Sequence, residues 1–165
     1  MIYKKSYILP STLMLFFIFL LLSGCNTKQE VAEEEIKVEK IDVAIDFSYK
    51  VNSNRFIQFT VTTNLPDGMK LGLGISNNDG YSAGDNVVVK NGMVKSTWFS
   101  NYKNLNSSLD PGEYKFRVFS IVPNLQPVSV REYIGEEGEN LTGEYVKYDS
   151  ISGNLIRFEK YFTIE

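Results

Sequence analysis

From Ile41 to Tyr49, apolar and polar residues alternate. Ile41, Val43, Ile45, Phe47 and Tyr49 fall on one face, and Asp42, Ala44, Asp46 and Ser48 on the other. A period of two predicts a half-buried strand. Val51-Asn52-Ser53-Asn54 reads as a turn, and Phe56 to Thr63 as a second strand with Ile57, Phe59 and Val61 inward. Asn64-Leu65-Pro66-Asp67-Gly68 ends it, because Pro-Asp-Gly favours a turn. Met69, Leu71, Leu73 and Ile75 make a third strand. Gly72 and Gly74 occupy its other face, so either a neighbouring element lies close there or the strand is weak. Asn77-Asn78-Asp79-Gly80 opens a loop. Val87 to Lys95 reads as a hairpin around Asn91-Gly92, two residues that tolerate the positive φ of a type I′ turn. Its returning strand runs to about Phe99, and 101–110 is a polar loop.

Leu109-Asp110-Pro111-Gly112-Glu113-Tyr114 opens another strand that continues through Phe116 and Val118 towards Ser120. Pro127 to Gly135 reads as a short helix, with Pro in the first turn and Gly past the end. A polar stretch, 136–143, follows. Ile156, Phe158, Phe162 and Ile164 then share one face of a final strand. About seven strands with frequent turns and one short helix predict an all-β, antiparallel β-sandwich over 41–165. Tyr114, just past Pro111-Gly112, resembles the tyrosine corner of immunoglobulin-like domains. The resemblance implies an immunoglobulin-like sandwich and a structural role for Tyr114.

The N-terminal residues follow a different pattern. Lys4 and Lys5 precede an uninterrupted apolar run, 13–22, which ends at Leu22-Ser23-Gly24-Cys25. This layout is that of a signal peptide. The run falls short of the roughly 20 apolar residues that span a bilayer, and Pro10, Ser11 and Thr12 interrupt any extension. Leu22-Ser23-Gly24-Cys25 resembles the lipobox of bacterial lipoproteins. The resemblance implies that 1–24 is removed and that Cys25 carries a diacylglycerol thioether. It places the domain at the extracytoplasmic face of the cell membrane. Two acyl chains anchor stably where one does not. A plain secretory signal would instead leave Cys25 as an odd free thiol. Asn26 follows the cysteine, and the Lys-, Asn- and Ile-rich composition without histidine leans towards Gram-positive bacteria. Beyond Cys25, residues 26–40 are acidic and polar, with Glu33-Glu34-Glu35 at their centre. They read as a linker that spans about 20 Å as flexible coil. Thr63 to Gly68, Val89 to Gly92, Pro111 to Lys115 and Ile134 to Leu141 are similar to turn segments of small exported bacterial domains, a resemblance that carries no activity.

Charge and composition narrow the chemistry. Loss of 1–24 removes Lys4 and Lys5 and no acid, so the net charge moves from −3 to −5. An acidic chain lacks the footprint of a nucleic-acid binder and offers no polybasic stretch to anionic lipid. Without histidine, and with its one cysteine in the anchor, the chain can build neither a Ser-His-Asp triad nor a His- or thiolate-bound zinc site. No enzyme and no cofactor is expected. A carboxylate pair for glycan hydrolysis would be the remaining route, and nothing singles one out.

Several positions are candidates for recognition. Alternation sends Trp98 and Phe99 to opposite faces. A tryptophan packed between sheets is the ordinary reading of Trp98. An exposed Trp98, joined by Tyr81 and Tyr102, makes an aromatic binding patch instead. Glu136, Glu137 and Glu139, beside Tyr133 and Tyr145, read as a solvated acidic loop or as a surface for a cationic peptide. Asn77, Asp79 and Asp85 offer oxygens without the spacing of a calcium loop, so no metal is expected. Asn106-Ser107-Ser108 and Asn140-Leu141-Thr142 match the glycosylation pattern but mark only polar loops here. The sequence therefore predicts a membrane-anchored extracytoplasmic binding module for a peptide, protein or envelope component. The alternative is an immunity or exclusion lipoprotein that shields the cell from an extracellular lantibiotic-type peptide or a phage.

Overall fold

A computed structural model describes residues 39–101 and 108–165. The expected signal segment, Cys25, the expected linker up to residue 38 and Tyr102 lie outside the described residues. Among the described residues ten strands form: β1 (Ile41–Asp42), β2 (Ile45–Val51), β3 (Ile57–Thr63), β4 (Lys70–Asn77), β5 (Ser82–Val88), β6 (Met93–Lys95), β7 (Gly112–Ser120), β8 (Leu141–Thr142), β9 (Val146–Asp149) and β10 (Gly153–Ile164). A 3-10 turn, Pro123–Leu125, and one helix, α1 (Val128–Ile134), separate β7 from β8.

An antiparallel sheet in the order β2-β3-β6 packs on a second, β5-β4-β7-β10-β9. In immunoglobulin lettering these are A-B-E and C′-C-F-G, with β9 added beyond G and no D strand among the described residues. The two sheets meet through aromatic rings. Phe59 of β3 stacks on Phe116 of β7 at 4.1 Å, and Phe47 of β2 stacks on the same ring at 4.9 Å. Phe158 and Phe162 of β10 close on Phe47 and Phe59 at 5.9 and 5.5 Å. Each such pair adds about 1 kcal/mol beyond the apolar area it buries. Phe59, Phe116, Leu73 and Ile75 are fully buried, so the alternation at these positions is the cause of the sandwich.

Three strands exceed the predicted seven. The first predicted strand is split, because the Asn64 amide bridges its break. Nδ2 donates to the Asp42 carbonyl at 2.7 Å, and Oδ1 accepts the Ala44 N–H at 2.9 Å. Residues before the break pair in parallel with β8, and those after it pair with β3. The polar stretch after α1 therefore contains a strand. Asn140 is buried there and donates from its amide to the Tyr133 carbonyl at 3.1 Å, so it is no solvated loop residue. β9 is the third addition.

The predicted hairpin at Asn91-Gly92 is corrected. The turn itself forms, with φ of 52° and 67° and two hydrogen bonds between Lys90 and Met93 at 2.9 and 3.1 Å. Its two flanks then part. β5 pairs with β4 over seven residues, whereas β6 pairs with β3 in the other sheet. The turn is thus the crossing from C′ to E. The seven-residue ladder outweighs the extension of a two-residue turn.

Residues 121–152 form a long insertion between F and G at one pole of the sandwich. Gln126 is buried and pins it to the start of β4. Its amide accepts the Lys70 N–H at 2.8 Å and donates to the Lys70 carbonyl at 2.9 Å. Val130, Ile134 and Leu141 bury their side chains beneath it. No helix among the described residues is long and apolar enough to cross a membrane.

Candidate functional site

Tyrosines staple the pole away from the insertion. Tyr114 starts β7 and donates its hydroxyl to the Asp110 carbonyl at 2.9 Å, the tyrosine corner expected there. Tyr81 is corrected from a binding candidate to a core residue. It is 8% exposed, packs edge-on to Tyr114 at 5.9 Å and donates to the Ser100 carbonyl at 3.0 Å. Burial, with a smaller contribution from the Tyr114 phenol, pushes its pKa up to about 12. Burial likewise raises that of Tyr114.

Trp98 does not pack between the sheets. Phe99 takes the core position, bridged to Ile57, and Trp98 turns outward at 38% exposure. The Lys50 ammonium lies 5.0 Å from the centre of its ring. With Tyr81 buried and Tyr102 outside the described residues, no aromatic cluster gathers around Trp98 among the described residues.

The acidic candidates sit in the insertion, whereas Trp98 adjoins the Phe99–Ile57 bridge at the start of β3. Glu136 pairs with Arg131, and Glu139 accepts the Glu137 N–H at 3.0 Å. Tyr133 is exposed on α1 and lines a groove of about 360 Å³ with Ile41, Asn64, Pro66, Asp67 and Ser129. Glu136 and Glu137 line a separate groove of about 250 Å³, beside the exposed Tyr148 and Ile151. Tyr145 instead packs edge-on against Phe158 at 5.1 Å. The calcium candidates are used within the fold. Asn77 accepts the N–H groups of Asp79 and Tyr81 at 3.1 and 2.8 Å, and Asp85 accepts that of Thr97 at 2.6 Å.

A surface that the sequence did not single out lies on the outer face of the five-stranded sheet. Ladder register places Gly74 beside Arg117 and Gly72 beside Phe119, and then Glu159 beside Arg117 and Arg157 beside Phe119. The glycines let the long side chains lie flat. A Cβ on Gly72 would meet the Phe119 ring at 2.2 Å, and one on Gly74 would lie 3.5 Å from Nε of Arg117. Two grooves flank this ridge. One, of about 360 Å³, is lined by Arg117, Phe119, Arg157 and Glu159; the other, of about 320 Å³, runs over Gly74, Gly84 and Asn86.

The charges on this face are unevenly matched. Glu159 pairs with Lys115 at 3.4 Å. A hydrogen bond to the Tyr161 hydroxyl, and then the attraction of Glu159, hold the Lys115 ammonium above its ordinary pKa. Among the described residues, neither Arg117 nor Arg157 has a carboxylate within 4.0 Å. Nε of Arg117 is buried without an acceptor. Asp149 attracts Arg157 at longer range, and its carboxylate is held below its usual pKa first by the Ile151 N–H and then by Ser152. The period-2 pattern could have indicated this face, since Lys115, Arg117 and Phe119 alternate with core residues. Gly72 and Gly74 do signal a close neighbour in the sequence, but which strand supplies it depends on the pairing. Comparison with known proteins finds no matching family model, no matching curated protein and no matching solved structure.

Proposed function

We propose that the chain is a membrane-anchored extracytoplasmic binding module, held at the cell surface through Cys25 and presenting its sandwich to a partner. The observation that carries the binding role is the outer sheet face, where Arg117, Phe119 and Arg157 border two open grooves and, among the described residues, neither arginine has a carboxylate within 4.0 Å. Aromatic and arginine side chains on a rigid element are what recognition surfaces use. The lipobox-like Leu22-Ser23-Gly24-Cys25 supports the anchor.

The test is fractionation of cells that express the full chain, with protease added to intact cells. The native chain is expected in the membrane fraction and accessible from outside. Cys25→Ala is expected to leave the signal uncleaved or to release the protein. A Cys25→Ala protein that is still processed and membrane-bound would overturn the anchor.

The groove beside Glu136, Glu137, Tyr148 and Ile151 favours a second reading, immunity against a cationic peptide. Deletion of the gene should then sensitise cells to at least one cationic antimicrobial peptide. Unchanged sensitivity across a panel would remove that reading.

A further inference from the structure

We propose that the outer face of the C′-C-F-G sheet binds an acidic peptide segment of a protein partner, with Arg117 and Arg157 taking its carboxylates and Phe119 its apolar side chain. This deepens the binding role proposed above and does not depend on the anchor.

The charge pattern comes first. The chain is acidic overall, yet among the described residues neither Arg117 nor Arg157 on this face has a carboxylate within 4.0 Å, and Glu159, across from Arg117, pairs with Lys115 instead. Register makes the two arginines diagonal neighbours on adjacent strands, about 7–8 Å apart, a gap that long side chains bridge. Their planar forks suit carboxylates. The buried Nε–H of Arg117 has no acceptor in the free protein, an unmet demand that a partner carboxylate beside the fork would satisfy.

Shape selects the kind of ligand. Both grooves are open, and a small molecule in them would keep much of its surface in water, unlike the usual small-ligand site. An extended chain lying along the grooves buries far more. The face measures roughly 20 by 25 Å from strand spacing and rise. That falls short of the roughly 800 Å² per partner of a stable folded interface. A second copy of this chain is also disfavoured, because a two-fold pair would set the arginine-bearing face against itself. The few cations here fall below the clusters of about 4–8 that mark a lipid-binding patch.

Random peptides displayed on phage, selected on the full-length protein in detergent micelles, test the assignment. The expected result is enrichment of Asp- and Glu-containing peptides with a neighbouring apolar residue. Those peptides should bind the Arg117→Gln/Arg157→Gln double variant about 10- to 100-fold more weakly, and a Lys90→Gln/Lys95→Gln variant, changed at exposed positions away from this face, unchanged. Arg157 is exposed and Arg117 half-buried, so unaltered far-ultraviolet dichroism of the double variant is the check that the fold is kept. Enriched peptides without acids, or acidic peptides that bind the double arginine variant equally well, would overturn this inference and leave the binding role standing. No enrichment at all would overturn both. If polyglycerol phosphate occupies the same arginines more tightly than any selected peptide, the ligand is a phosphate polymer and the peptide assignment falls.

Discussion

Gly153→Ala tests how the insertion is fastened to the sandwich. Gly153 follows the loop Ser150-Ile151-Ser152 between β9 and β10 and has φ of 74°. An added Cβ would lie 2.3 Å from the Glu137 carbonyl oxygen, which accepts the Asn154 N–H at 2.8 Å. The left-handed conformation costs an L-residue about 1–2 kcal/mol. The carbonyl must also retreat by about 1 Å to reach ordinary contact, which forfeits a hydrogen bond worth about 1 kcal/mol. Lower freedom in the unfolded chain returns about 0.5 kcal/mol. The net loss is about 2 kcal/mol, or about 6–10 °C in Tm for a domain of this size. Gly80→Ala is the control, because Gly80 has φ of 85° with nothing within 4 Å of its added Cβ. It should lose only about 1 kcal/mol, from conformation alone. Urea unfolding followed by far-ultraviolet dichroism reads both, with unchanged slopes expected. If Gly153→Ala costs no more than Gly80→Ala, the close approach of Glu137 is refuted.

Tyr114→Phe removes the hydrogen bond to the Asp110 carbonyl and should lower stability by about 1 kcal/mol in the same assay; no change would mean that water replaces the phenol. Gln126→Ala unpairs both backbone groups of Lys70 and should cost about 2–3 kcal/mol, with faster hydrogen exchange at the Lys70 amide. Ultraviolet titration should show one phenol ionising last, near pH 12, and Tyr81→Phe should abolish that step. The unfolded chain releases this proton near pH 10 while the folded chain holds it, so the contribution of Tyr81 to stability is complete below pH 10 and is lost between about pH 10 and 12. Trp98, the single tryptophan, should be quenched by acrylamide in the native protein, and Lys50→Ala should change its emission while costing under about 1 kcal/mol.

Side-chain alternation made the main strands legible, because burial of one face is a local property of each segment. Ile57, Phe59, Val61, Phe116 and Val118 all enter the core as their spacing predicts. Pairing was less legible. Asn91-Gly92 specified a turn, but the destination of each flank depended on β3 and β4, which lie well upstream in the chain. Asn64 and Gln126 use their amides as short strands, a role that composition cannot separate from ordinary polar exposure. The burial of Tyr81 is illegible in the sequence for the same reason. Its neighbours in sequence are loop residues, while its neighbours in space are Tyr114 and Ser100.

Gly72 and Gly74 connect the fold to the proposed binding surface. A strand with glycine on one face usually lacks cover there, yet residues 71–75 of β4 are all buried. The outer cover comes from β7, whose Phe119 ring and Arg117 guanidinium fold flat onto the two glycines. Two side chains that would otherwise sweep through solvent are thereby held in place before any partner arrives. Ordering a long side chain on binding costs about 0.5–1.5 kcal/mol each, and here part of that loss already belongs to folding. The glycines therefore do not weaken the strand. They move side-chain cover from β4 to β7, and they leave a rigid arginine and a rigid ring side by side, facing outward.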